Sequence, residues 1–115
     1  MCLGKLRTPT KNLRCAYWNI NGHKSQIIGD KLCDSDFLSS IDECDILGLS
    51  ELHSNEKVCI PGFKLLKQKI RQKKFRGPKI AGGIAIFVRE GMDHFVQVVP
   101  NDNENSIWIR LAKSI

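Results

Sequence analysis

The stretch GGIAIFVRE, residues 82–90, decides the fold. Ile84, Ile86 and Val88 alternate with Ala85 and Phe87, so both faces of the segment are apolar. A strand of that kind belongs at the centre of a sheet, covered on two sides. Downstream, residues 95–99 read as a further strand, NDNEN (101–105) as a turn and residues 106–112, with Trp108, as a last strand. Upstream, Pro61-Gly62 makes a turn into a strand over 63–70, and RQKKFRGPK (71–79) reads as a basic loop. ILGLS (46–50) is a short buried strand opened by Asp45 and ended by Glu51. Asp34 or Ser35 caps a short helix over 36–42, with Phe37, Leu38 and Ile41 inward. Residues 13–18 alternate as a first strand, with Leu13, Cys15 and Tyr17 on one face and Arg14, Ala16 and Trp18 on the other. Asn21-Gly22 follows as a turn, and residues 25–32 read as a second helical stretch.

This order predicts an α/β or α+β domain dominated by a sheet, over 12–115, preceded by a loose arm at 1–11. With so little helix, one apolar face of the sheet is expected to lack a covering layer, as in a piece of something larger.

At 115 residues the chain holds at most one domain. It has no apolar run long enough to cross a membrane, and its first residues lack the apolar core of a signal peptide. An intracellular protein is the expectation. Five cysteines with no Cys-x-x-Cys pair argue against a disulfide framework, and Cys44, His53 and Cys59 match no common zinc spacing. The net charge of +6 is unevenly placed: residues 57–89 hold ten of the 18 basic residues and none of the 12 acidic ones. The other eight basic residues against those 12 acidic ones leave the remainder at −4. The basic segment is either a surface for a polyanion such as nucleic acid or a solvated lysine-rich hairpin. Arg71, Lys73, Lys74 and Arg76 are its candidate contacts.

Two strand tips carry the candidate chemistry. AYWNINGH (16–23) ends a strand in Trp-Asn-x-Asn-Gly, and CDILGLSELH (44–53) ends another in Ser-Glu-x-His. Between and after them come DSDFLSS (34–40), IPGFKLL (60–66), the basic loop, the 82–90 strand and NENSIWIRL (103–111). In that order the chain resembles the endonuclease/exonuclease/phosphatase family, most of all the endonuclease domains of LINE-type (non-LTR) retrotransposons. The resemblance spans residues 13–112. It implies a partial four-layer α/β-sandwich of the deoxyribonuclease-like type and a Mg²⁺-dependent phosphodiesterase, with Mn²⁺ as a substitute ion.

It further implies that Glu51 is the metal-binding glutamate, Asn19 its companion at the first strand tip and Asn21 a further catalytic position. His53 is expected to pack rather than act. DNA is the implied partner, together with the second half of the domain or a reverse transcriptase of the same polyprotein, and the place of action is nuclear. The bare chemistry agrees, since Mg²⁺ takes hard oxygen ligands and is commonly held by one or two carboxylates, waters and substrate phosphate.

Several groups that the family needs have no counterpart here. No Asp-x-Asn occurs in the sequence, the lone tyrosine, Tyr17, sits in the first strand, and Asp93-His94 follows the 82–90 strand directly rather than long after it. The expectation is therefore an N-terminal half, incomplete for catalysis by itself. The alternative is a catalytically inactive, truncated remnant that binds nucleic acid at most, through residues 64–79.

Overall fold

The protein is a small mixed α/β structure, described for residues 13–22, 24–25, 29–54, 56–70 and 82–112 of a computed structural model. Four strands form the main sheet: β1 (Cys15–Asn19), β4 (Ile46–Ser50), β5 (Phe63–Lys69) and β6 (Ile84–Arg89), in the order β1-β4-β6-β5. As its two apolar faces require, β6 is central, antiparallel to both β4 and β5. β1 and β4 are parallel, with Asn19 opposite Ser50. Parallel neighbours need a crossover. Here the connection carries the two-residue strands β2 (Lys24–Ser25) and β3 (Gly29–Asp30), a 3₁₀ turn (Lys31–Cys33) and helix α1 (Ser35–Ser40).

The helix starts where Asp34 accepts the Asp36 and Phe37 N–H groups through its side chain, as an N-cap should. The helical stretch expected over 25–32 is not α-helical at its described residues, 25 and 29–32. Its described part is a hairpin arm and a single 3₁₀ turn, in which Asp30 caps the Leu32 N–H at 2.9 Å. Gly29 has φ of +83°, a value suited to a turn into a strand and not to a helix interior.

Pleat alternation sends the strands' side chains to two cores. Leu47, Leu49, Ala85 and Phe87 face α1 and pack with Leu32, Phe37 and Ile41. Ile46 and Val88 face the opposite way and pack with Met92 and Val96, supported by Leu13, Phe95 and Ile109. The second core is closed by the hairpin of β7 (Val96–Val99) and β8 (Trp108–Leu111). The sheet face expected to be bare therefore has a covering layer. It stops short of β1, where Tyr17 remains 71% exposed.

Asp93-His94 lies in a 3₁₀ turn after β6, at the end of the sheet away from Glu51, because β6 runs antiparallel to β4. Asp93 accepts from Lys64 Nζ at 2.9 Å, and the His94 ring lies tilted by 42° against Phe95 with centroids 3.9 Å apart.

Candidate functional site

Two backbone turns meet at the C-terminal edge of β1 and β4. Because the strands are parallel, adjacent and in register, both chains leave the sheet side by side, about 4.8 Å apart. The ladder continues beyond the strands. Ile20 N–H donates to Ser50 O at 3.1 Å, and Gly22 N–H donates to Glu51 O at 2.6 Å. The second turn is pinned from the other side, with Leu52 N–H on Gly83 O at 3.3 Å and His53 N–H on Gly82 O at 2.9 Å.

Among the described residues, the non-glycine positions with positive φ are Asn21 (49°), Glu51 (57°) and His53 (52°), all in these two turns. Left-handed backbone disfavours L side chains, and where it persists the surroundings must hold it. Gly22 has φ of +89°, a backbone conformation that favours glycine, and a Cβ there would only touch His53 Nδ1, at 3.5 Å.

The expected site residues converge here. Asn19 is exposed, and its Oδ1 accepts the Asn21 N–H at 3.1 Å, an Asx turn that shapes the first tip. Glu51 retains 44% side-chain exposure, and its Oε1 accepts a hydrogen bond from His53 Nε2 at 2.9 Å. Lys31 donates from Nζ to Ile20 O at 2.9 Å and to Asn21 O at 3.2 Å, clamping the first turn from the 3₁₀ segment. Arg71, Lys73, Lys74 and Arg76 lie outside the described residues. Of the basic segment's described lysines, Lys64 is paired with Asp93. Lys69 is occupied by Asn101 and Asn103 of the β7–β8 connection.

Two features were not legible beforehand. His53 Nε2 is hydrogen-bonded to Glu51 Oε1, and the only sequence sign of this was its place two residues after Glu51. Tyr17 lies across Gly48 and shares a hydrogen bond with Ser50 Oγ, one residue before Glu51. A cleft of about 320 Å³ opens beside Asn19, bounded by Trp18, Ile20, Lys31 and Phe37.

The donor set suits a hard cation in part. One carboxylate and one carboxamide oxygen stand at neighbouring tips, which matches the partial protein shell that Mg²⁺ accepts. Among the described residues no three His, Cys, Asp or Glu side chains gather into a denser metal cluster. No family model, curated protein or solved structure matches the chain.

Proposed function

We propose that the chain is the N-terminal portion of a Mg²⁺-dependent phosphodiesterase of the endonuclease/exonuclease/phosphatase kind, most similar to LINE-type retrotransposon endonucleases and acting on DNA. The observation that carries this proposal is the placement of Asn19 and Glu51 at the ends of adjacent parallel strands. Crevices at the carboxyl ends of such strands are the usual ligand sites of α/β sheets. In this proposal the four-stranded sheet is part of the family's four-layer sandwich.

Glu51 and Asn19 would hold the cation. Bound Mg²⁺ would supply the charge that polarises a scissile phosphate and steadies the leaving oxygen. The residues' own task is placement: the Gly22–Glu51 backbone bond and the Lys31 clamp keep both oxygen donors at one edge. The motifs that carry the resemblance include no group to deprotonate the attacking water, and a site working without such a group would be slower by roughly 10²–10⁴-fold.

The test is Mn²⁺ binding together with supercoiled-plasmid nicking in Mg²⁺, comparing the chain with Glu51→Ala and Asn19→Ala. Mn²⁺ binding should be lost in Glu51→Ala and weakened in Asn19→Ala, with no nicking above the Glu51→Ala background. Mn²⁺ affinity indifferent to Glu51 would overturn the proposal. Nicking that needs both Mg²⁺ and Glu51 would overturn its incompleteness alone.

The concentration of charge in residues 57–89 favours a second function, DNA binding without catalysis. With Lys64 and Lys69 occupied, it rests on Arg71, Lys73, Lys74 and Arg76. Affinity should then fall with log[salt] at a slope of about −0.9 per phosphate neutralised. Salt-independent binding would exclude it.

A further inference from the structure

We propose that His53 is a positioning residue for Glu51, fixing which carboxylate oxygen faces a bound cation; this rests on the metal-holding role given to Glu51 above. Glutamate has three rotatable side-chain bonds, and at 44% exposure nothing in the packing alone would choose one rotamer for Glu51. The imidazole supplies the choice. His53 Nε2 lies 2.9 Å from Glu51 Oε1, and since an ionised carboxylate only accepts, the ring nitrogen is the donor. Such a charge-assisted bond is stronger and shorter than a neutral one.

The ring is itself held from both ends. Its backbone is fixed by the His53 N–H bond to Gly82 O and by the left-handed φ of 52°. Its Nδ1 side faces the Gly22 turn, 3.5 Å from where a Cβ on Gly22 would stand. The imidazole is thus hydrogen-bonded to one strand tip and faces the turn of the other. With Oε1 engaged, Oε2 and the remaining lone pairs are left for a cation. Direct ligation by His53 is the poorer assignment, because Nε2 is committed to Glu51 and Mg²⁺ prefers oxygen. Partners that orient a ligand from behind in this way typically account for 10–100-fold in metal affinity.

The experiment has a metal-free arm and a metal arm, both on the full chain. In the first, long-range ¹H–¹⁵N correlation spectra at mildly alkaline pH report the His53 tautomer. Wild type should show the proton on Nε2, and Glu51→Ala should shift that signal. In the second, Mn²⁺ affinity is followed by the EPR signal of the free ion. His53→Ala should weaken binding about 10-fold or more, while His53→Gln, whose Nε2 can still donate, should recover most of the loss. Circular dichroism confirms that each variant is folded; if His53→Ala is not, the tautomer arm and His53→Gln decide.

A His53 proton on Nδ1 overturns the inference. So does Mn²⁺ affinity unchanged in His53→Ala while Glu51→Ala abolishes it, which leaves the metal role of Glu51 standing. A wild-type chain that binds no Mn²⁺ overturns that role and the inference with it.

Discussion

Glu51 is a glutamate where the backbone asks for glycine. Its φ of 57° costs an L residue about 1–2 kcal/mol, and no packing benefit to the half-exposed side chain offsets it. Strain of this sort is kept where a specific side chain is needed at a specific place. Replacing Glu51 by glycine should therefore give a more stable protein than replacing it by alanine, by about 1 kcal/mol in urea unfolding. Equal stability of the two variants would show that the left-handed turn is not strained. Asp93 illustrates the opposite situation, a charge serving structure. Its hydrogen bond from Lys64 holds its carboxyl below the usual carboxylate range. A folded-state value below the unfolded one stabilises above the ordinary carboxylate range and is lost as pH falls through the depressed value. The stability difference between wild type and Asp93→Asn should thus be present at neutral pH and vanish in strong acid. It should also be small, because the pair is solvent-screened.

At the scale of elements, the end of α1 is fastened to the sheet by one side chain. Arg89, the last residue of β6, donates from Nε to Cys44 O at 2.9 Å and from Nη2 to Ile41 O at 3.2 Å and to Asp42 O. Its guanidinium also lies over the Phe63 ring, 4.6 Å from the centroid. Three carbonyls past the helix, those of Ile41, Asp42 and Cys44, thus gain a charged donor where a helix end leaves acceptors short of partners. Arg89→Ala should cost about 2 kcal/mol, the value of losing hydrogen bonds to a charged donor. Arg89→Lys should recover less than half, since an ammonium cannot reproduce the planar fork. Full recovery in denaturant titrations would mean that charge alone matters there. The edge strand β5 uses lysines differently. Lys64, Lys67 and Lys69 alternate along it, a composition that discourages pairing with a further strand, and two of them also bind the segments that pack beside the sheet.

For the molecule as a whole, stability rests on few residues. Phe87 is wholly buried at the centre of the larger core, opposite Leu47 on one side and Leu65 on the other. Phe87→Ala should cost about 3–5 kcal/mol, a large share of the roughly 5–15 kcal/mol available to a domain. A large fall in urea midpoint is the expected result; a fall worth under 1 kcal/mol would mean that the two cores are not one cooperative unit. Tyr17 on the same sheet carries no such weight, being exposed where the β7–β8 hairpin ends.

What the sequence determined by itself was local. The apolar run at 46–50 and the two apolar faces of 82–90 identified the central strands, because a pleat with period two depends only on neighbouring residues. The start of α1 was legible to within a residue for the same reason: of the two cap candidates, Asp34 and Ser35, the structure uses Asp34, and the helix runs Ser35–Ser40, where 36–42 was expected. The two candidate tips, at Asn19 and Glu51, were singled out together only through the motif resemblance of AYWNINGH and CDILGLSELH. What only the tertiary structure decided depends on residues far apart in the chain. The parallel register of β1 and β4 joins positions about thirty residues distant, and it alone brings the two tips to one edge. The covering of the second sheet face by the β7–β8 hairpin is likewise a long-range event. Within 25–32 the described residues are not an α-helix: Gly29 has φ of +83°, and a stretch this short has little helical stability of its own. His53, although only two positions from Glu51, meets its carboxylate because both backbones turn left-handed, and those turns are held by Gly22, Gly82 and Gly83 from outside the segment.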